Sequence, residues 1–140
     1  MAEAAFQWPV RIYWEDTDAG GIVFYANYLK FFERARTEWL RSLGIEQQAL
    51  RAQTGGMFVV SETQARYLLP ARLDDELCVT AELQRSGRAV LAIRQQARLG
   101  LAGPLLCEAT IRIAWVEAAS LKPGRIPSEI LQRLCPTKQP

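Results

Sequence analysis

The sequence contains no histidine among its 140 residues. This absence excludes the serine and cysteine triads that use a histidine base, and it excludes every histidine metal ligand. Any catalysis must therefore depend on carboxylates, tyrosine, lysine, backbone dipoles or bound water. Cysteine is also scarce. The three cysteines lie far apart without C-x-x-C spacing, which predicts reduced, mostly buried thiols rather than a disulfide framework or a zinc site.

Long apolar runs and an excess of one charge are likewise missing. No apolar stretch approaches the roughly 18 residues that span a bilayer, so no membrane-spanning helix is predicted. Seventeen basic residues against fifteen acidic give a formal net charge of +2, too small to indicate binding to nucleic acid or an anionic membrane. The N-terminus shows no signal-peptide pattern, so we expect a cytoplasmic protein. At 49% hydrophobic content, we expect one globular domain over residues 1–140.

Helical periodicity is strongest in the first third of the chain. Apolar residues recur every three or four positions over residues 28–43, and further apolar residues widen this stripe, which predicts a helix enclosed on more than one side. Asn27 is predicted as the N-cap, and Gly44 is predicted to end the helix. A shorter helix is predicted over residues 46–53 and a final one after Pro127.

Alternation of apolar and polar residues predicts strands in the rest of the chain. A short first strand is predicted from Val10 to Trp14, and a less regular one from Met57 to Leu69. Three cleaner strands, joined as hairpins by glycine-containing turns, follow over residues 77–83, 91–99 and 105–115. The pattern therefore predicts an α+β fold in which an antiparallel sheet curls around one hydrophobic helix.

Two carboxylates, Asp16 and Asp18, lie in a loop that ends in Gly20 and Gly21 and precedes the long helix. The N–H groups and the dipole at a helix N-terminus stabilise negative charge. A carboxylate beside them can act as a general base or a nucleophile while backbone N–H groups polarise a carbonyl. The structural alternative is that these are ordinary turn and capping residues. The loop matches neither a calcium-binding EF-hand nor a phosphate-binding Walker motif.

The residues around this loop resemble a known family. Residues 13–29, YWEDTDAGGIVFYANYL, closely resemble the signature of the 4-hydroxybenzoyl-CoA thioesterase family of hot-dog proteins. The segments FFERARTE (31–38), PARLDD (70–75) and LKP (121–123) are similar to the Tol-Pal-associated acyl-CoA thioesterase branch of that family. The resemblance spans roughly residues 8–134 and implies a long central helix wrapped by a five- or six-stranded antiparallel sheet. By its residues alone, the PARLDD segment is interpreted as a charged turn.

This resemblance implies an enzyme that hydrolyses an acyl-CoA thioester to a free acid and coenzyme A, with no metal and no cofactor. On the same resemblance Asp18 is the catalytic carboxylate, and the backbone N–H of Tyr25 contacts the thioester oxygen. The residues that the resemblance assigns to substrate binding are Gly20, Gly21, Arg88 and Lys122. The last two correspond to basic positions that hold coenzyme A phosphates, with solvated surface charge as the alternative.

The residue at position 25 leaves the substrate open. Many members of the Tol-Pal branch carry histidine there, whereas the 4-hydroxybenzoyl-CoA enzymes carry tyrosine, a poor base at neutral pH. Three hypotheses follow: an aliphatic acyl-CoA thioesterase, an aryl-CoA thioesterase, and a protein that binds acyl-CoA or acyl carrier protein without turnover. The resemblance also implies a homodimer or homotetramer with active sites at the subunit interface. Neither binding of nucleic acid nor insertion into a membrane is expected.

Overall fold

The computed structural model of the protein describes residues 5–135. Within this range one five-stranded antiparallel sheet has the strand order β1-β3-β4-β5-β2. The elements in chain order are β1 (Phe6–Arg11), α1 (Asn27–Ser42), α2 (Gln47–Thr54), β2 (Gly56–Tyr67), β3 (Glu76–Ser86), β4 (Val90–Leu99), β5 (Leu105–Glu117) and α3 (Ser128–Leu134). The predicted α+β fold, with one long helix against an antiparallel sheet, is confirmed. Over the described range, no helix combines the length and the apolar character needed to cross a membrane.

The long helix α1 packs across the inner face of the sheet, mainly against β1, β3 and β4. Phe31, Phe32 and Ala35 of α1 are completely buried, as are Val79 of β3 and Ile93 of β4 on the facing strands. Burying a phenylalanine side chain contributes about 1.5–3 kcal/mol, so this stripe is a main source of stability. The broad apolar face predicted from the sequence is therefore the centre of the core.

The two ends of α1 differ in how well they were predicted. Gly44 has a φ of +79°, and its N–H donates to the Arg41 carbonyl at 3.0 Å, so it ends the helix as predicted. Asn27 is not the N-cap. Ala26 occupies the capping position, and Asn27 is the first helical residue. The predicted cap was wrong because the Asn27 amide instead donates to the backbone carbonyl of Asp16.

The first strand ends earlier than predicted. Val10 and Ile12 are buried as the alternation required, but Trp14 is 80% exposed and begins a single 3₁₀ turn. The cause is Asp16, whose carboxylate accepts a hydrogen bond of 2.8 Å from the Tyr13 N–H and turns the chain away from the sheet. The predicted strand from Val10 to Trp14 was therefore wrong at its C-terminal end, and the strand also begins earlier than predicted, at Phe6.

A polar bridge crosses the core beneath α1. Gln95 of β4 is completely buried, and its side-chain amide donates to the carbonyl of Phe32 at 2.9 Å and to that of Thr80 at 3.0 Å. Its amide oxygen accepts a hydrogen bond of 3.1 Å from Arg36 of α1. The interruption that Gln95 makes in the apolar pattern of β4 is thus a fully hydrogen-bonded link between helix and sheet.

Candidate active site

The hairpin between Thr17 and Val23 leads directly into α1. These two residues form an isolated antiparallel bridge, and the Asp18 N–H donates to the Ile22 carbonyl at 2.8 Å. The turn is closed by a hydrogen bond of 3.0 Å from the Gly21 N–H to the Asp18 carbonyl. Gly21 has a φ of +80°, a conformation that favours glycine. The loop is therefore a defined turn that presents Asp18.

The two loop carboxylates have different environments. Asp18 is exposed, and its Oδ1 accepts a hydrogen bond of 2.9 Å from the Gly20 N–H. A Cβ atom at position 20 would lie 3.3 Å from that oxygen, so glycine leaves room for the contact. Asp16 is buried, and its carbonyl accepts hydrogen bonds from the Phe24 N–H and from the Asn27 side chain. Asp16 therefore shapes the loop, whereas Asp18 is accessible to a ligand.

The backbone at the start of α1 offers unpaired donors. The N–H groups of Tyr25 and Ala26 have no hydrogen-bond acceptor among residues 5–135. The Tyr25 carbonyl already accepts the Tyr28 N–H at 3.4 Å, so the backbone there has entered the helix. Such N–H groups carry the partial positive charge of the helix N-terminus. An exposed carboxylate and unpaired backbone donors thus lie at one junction between loop and helix.

Three tyrosines meet at this junction. The Tyr25 ring is exposed and contacts Tyr67 with ring centroids 6.0 Å apart, and Tyr28 contacts Tyr67 at 5.7 Å. The buried Tyr28 hydroxyl accepts a hydrogen bond of 3.1 Å from the Ala71 N–H, and burial raises the pKa of its phenol. Partial burial also raises the pKa of Tyr67. Tyr67 was not predicted as a site residue, because nothing local to its irregular strand signals proximity to Tyr25.

The PARLDD segment supports the hairpin. The Val23 N–H donates to the Ala71 carbonyl at 2.9 Å, and Ile22 forms an isolated bridge with Arg72. The Asp75 carboxylate accepts the Arg72 N–H at 2.9 Å. The segment is therefore a charged turn, as predicted from its residues, and it holds the Asp18 hairpin against the rest of the fold.

Arg88 and Lys122 lie at the opposite end of the sheet from Asp18. Both are exposed. Arg88 sits in the hairpin between β3 and β4, where its carbonyl accepts the Ile126 N–H at 2.8 Å, and the Lys122 carbonyl accepts the Glu117 N–H at 2.9 Å where β5 ends. The Asp18 hairpin lies where β5 begins and β2 ends. A ten-residue strand such as β4 extends roughly 30 Å, so a single chain does not bring these cations to Asp18.

The junction has the parts needed for acyl transfer. A carboxylate can activate water or attack a carbonyl carbon, and backbone N–H groups can stabilise the oxygen on which negative charge develops. In the part of the chain from residue 5 to 135, no cluster of three histidine, cysteine, aspartate or glutamate side chains is placed to hold a metal ion.

Comparison with known proteins points to one family. A family model described as the thioesterase superfamily matches residues 20–100. The acyl-CoA thioesterase YbgC of Haemophilus influenzae is 42% identical over 130 residues, which cover 93% of this chain and 94% of that protein. The family-model match contains the long helix and the tyrosine junction.

Solved structures agree with this comparison. A probable thioesterase from Bartonella henselae superposes with a TM-score of 0.81 and 32% identity, covering 89% of this chain and all of that one (100%). A 1,4-dihydroxy-2-naphthoyl-CoA thioesterase from Synechocystis superposes with a TM-score of 0.87 and covers 98% of this chain and 100% of that chain. At 18% identity, this second likeness concerns the fold alone.

Proposed function

The chain belongs to the thioesterase superfamily and has its hot-dog fold, and from this premise we propose that it hydrolyses acyl-CoA thioesters to a free acid and coenzyme A. The observation that carries the proposal is the junction of exposed Asp18 with the unpaired N–H groups at the start of α1. The 42% identity to an acyl-CoA thioesterase supports the substrate class. The proposed reaction takes place in the cytoplasm and uses no cofactor.

In the proposed mechanism the thioester carbonyl oxygen accepts a hydrogen bond from the Tyr25 backbone N–H. The helix N-terminus stabilises the negative charge that develops on this oxygen. Asp18 then either takes a proton from an attacking water or attacks the carbonyl carbon and forms an anhydride that water opens. In both routes the carbon–sulfur bond breaks, coenzyme A leaves as a thiolate that takes up a proton, and water supplies the acid oxygen. Gly20 leaves room for the hydrogen bond to Asp18, and Gly21 adopts the positive φ of the turn where the thioester is proposed to bind.

We propose that the active unit is a two-fold dimer formed through β2. This twelve-residue strand is an edge of the sheet, most of its residues are exposed, and Val60 is 51% exposed. A long exposed edge is a template for another strand, and a two-fold axis uses the same edge twice. Antiparallel pairing about the bulge between Val60 and Glu62 sets the start of one β2 beside the end of the other.

This pairing would also bring Arg88 and Lys122 of one subunit toward Asp18 of the other. The start of β2 lies at the same end of the sheet as Arg88 and Lys122, whereas the end of β2 lies beside the Asp18 junction. Across the dimer, Arg88 of the partner subunit and Lys122 of the partner subunit would then approach Asp18. There they would pair with coenzyme A phosphates. Assembly of two such dimers gives the tetramer that the family resemblance allows.

A second candidate function is hydrolysis of an aryl-CoA. The observation that favours it is the exposed Tyr25 ring, which contacts Phe24 with centroids 4.9 Å apart and Tyr67 at 6.0 Å. Aromatic faces of this kind can stack on an aryl acyl group. A third hypothesis is a protein of the Tol-Pal system that binds acyl-CoA or acyl carrier protein without turnover. Only the family resemblance supports it, and the experiment below tests it.

The deciding experiment is release of free thiol from a panel of thioesters. The panel contains aliphatic acyl-CoAs, 4-hydroxybenzoyl-CoA and an acyl carrier protein thioester, and binding of each is measured in parallel. We expect fastest turnover on an acyl-CoA of the aliphatic class. Faster turnover of the aryl thioester would support the second candidate. Binding without turnover of any thioester would overturn the proposed hydrolase activity.

A further inference from the structure

Arg36 is a buried cation with no carboxylate partner. It is 9% exposed, and its Nη1 donates to Gln95 Oε1 at 3.1 Å. Within residues 5–135, no aspartate or glutamate forms a salt bridge with it. Burial lowers the pKa of Arg36, partly opposed by the charge of Glu33, yet a guanidinium stays protonated in proteins. Buried charges are normally paired, and the loop mechanism gives Arg36 no role.

Arg36 lines a groove of about 180 Å³ between α1 and β2. Five of the residues that line the groove are apolar, and Glu33, Thr37 and Gln47 add polar groups beside Arg36. Since one water occupies about 30 Å³ of the liquid, the groove holds on the order of six water-sized groups. Apolar walls with one buried cation suit a short carbon chain that ends in an anion.

The β2 dimer would place this groove beside the partner's junction. Phe58 and Val60 lie on the inner face of the sheet, and beyond the bulge Thr63 and Tyr67 do so too, since each pairs with an inner-face residue of β5. Two-fold pairing centred on the bulge therefore sets Val60 opposite Thr63 of the partner subunit, inner face beside inner face. The groove of one subunit then continues toward Tyr67 of the partner subunit, next to that subunit's loop.

We propose that the Arg36 groove binds the far end of the acyl group, and that the substrates are acyl-CoAs whose acyl chain ends in a carboxylate. The inference rests on the proposed thioesterase function and on the β2 dimer. The terminal carboxylate accepts hydrogen bonds from the Arg36 guanidinium while the thioester lies at Asp18 of the partner subunit. Arginine suits this role because its planar fork matches a carboxylate. Gln95 holds the guanidinium from the core side.

Glu33 lies in the same groove, and its negative charge weakens the preference for an acyl chain that ends in a carboxylate. Its carboxylate accepts the Thr37 hydroxyl at 2.7 Å and is exposed to solvent. Solvent screens the repulsion between Glu33 and an anionic chain end, whereas the buried position of Arg36 keeps its attraction strong. Neutralising Arg36 should therefore weaken the preference for an acyl chain that ends in a carboxylate, whereas neutralising Glu33 should strengthen it.

The test compares thioesters of equal chain length with and without a terminal carboxylate. The pairs are succinyl-CoA with butyryl-CoA, glutaryl-CoA with pentanoyl-CoA, and adipyl-CoA with hexanoyl-CoA. In the wild-type protein we expect kcat/KM to favour the carboxylate in at least one pair. Arg36→Met should lower that ratio at least about tenfold, because the charge-assisted hydrogen bond is lost. The matched variant Glu33→Gln should raise the ratio, because it removes a repulsion and keeps the bond to Thr37.

Two results would overturn the subsite: a wild-type preference for the uncharged chain in every pair, or a ratio that Arg36→Met leaves unchanged. Methionine is chosen because its unbranched apolar side chain fills the space of the arginine stem, although Gln95 Oε1 loses its donor. If that variant does not fold, Glu33→Gln decides, and an unchanged ratio counts against the subsite.

Failure of the thioesterase function would look different, because no thioester in the panel would be hydrolysed. Calorimetry with non-hydrolysable thioether analogues, carboxyalkyl-CoA and alkyl-CoA, then tests the subsite by itself. The ratio of their Kd values should change at least about tenfold on Arg36→Met if the subsite is correct. An unchanged ratio of Kd values would refute it. Sedimentation of each variant checks that the assembly is retained.

Discussion

The side-chain amide of Asn27 donates a hydrogen bond of 2.8 Å to the backbone carbonyl of Asp16. The same carbonyl accepts the Phe24 N–H at 3.0 Å. The first residue of α1 is therefore tied to the loop that carries Asp18. The sequence predicts an N-cap, in which the asparagine side chain would accept a hydrogen bond, but the structure uses this side chain as a donor.

The variant Asn27→Asp distinguishes a capping role of the Asn27 side chain from its role as a hydrogen-bond donor. Aspartate caps a helix as well as asparagine does, and the helix dipole favours its charge. A donor role predicts the opposite, because a carboxylate would face the Asp16 carbonyl and leave the bond unmade, at a cost of about 1–3 kcal/mol. We expect Asn27→Asp to lower the free energy of unfolding at least as much as Asn27→Ala. Chemical denaturation measures this difference, and wild-type stability in the aspartate variant would contradict the donor role.

Asp18→Asn should lower kcat at least about 100-fold, the size of a lost general base. The fold should persist because the amide oxygen can still accept the Gly20 N–H. Glu15→Gln is the matched control, since Glu15 is an exposed carboxylate in the preceding 3₁₀ turn and should leave kcat near its wild-type value. Steady-state kinetics on folded protein provide the measurement. Near-normal turnover in Asp18→Asn would end the assignment.

Tyr25→Phe should retain most activity if Tyr25 acts through its backbone N–H. The amide is unchanged, and the phenylalanine ring can keep the edge contact with Tyr67. A loss of about two orders of magnitude in kcat would instead mean that the phenol takes part in proton transfer. Tyr25→His is the informative companion. A gain in kcat on aliphatic acyl-CoAs would show that this chain has departed from the chemistry of its branch.

Cys107 should resist thiol reagents, whereas Cys135 should react first. Cys107 shares the strand parity of Ile111 and Ile113, which predicts burial, and the structure confirms that it is 0% exposed. Burial raises the pKa of Cys107 to about 12, so it stays a neutral thiol well into the alkaline range, and only the thiolate reacts readily. Cys135 is half-buried near the end of α3. Mass spectrometry of the native protein during alkylation measures the order in which the two thiols react. Rapid labelling of Cys107 would contradict the prediction.

Activity should require the oligomer. Val60→Lys places a charge on the exposed edge strand β2, so we expect it to dissociate the dimer and to reduce hydrolysis although Asp18 is untouched. Leu101→Lys is the control for assembly, because Leu101 is 69% exposed on the turn between β4 and β5, away from that edge. Sedimentation across a dilution series, with thiol release followed in parallel, measures both properties. A stable monomer with full activity would refute the shared active site.

Local patterns predicted most of the fold. The helix predicted over residues 28–43 is found at Asn27–Ser42, and the helix predicted over 46–53 is found at Gln47–Thr54, because helical periodicity and a terminal glycine are properties of adjacent turns. The first strand was predicted less well. Its alternation continues into Trp14, but the Asp16 carboxylate captures the Tyr13 N–H and ends the strand. The alternation of apolar and polar residues cannot show that a side chain will bind a backbone N–H in place of the neighbouring strand.

The sequence by itself determined the long helix, the strand set, the Asp18 loop and the resemblance to a thioesterase family, since each depends on neighbours within a few positions. Only the tertiary structure decided which distant residues meet. Pairing of β2 with β5 carries Tyr67 to the junction with Tyr25, and packing of α1 on the sheet buries Arg36 against Gln95. The physical reason is that strand order in the sheet differs from strand order in the chain, so these contacts depend on the path of the whole backbone.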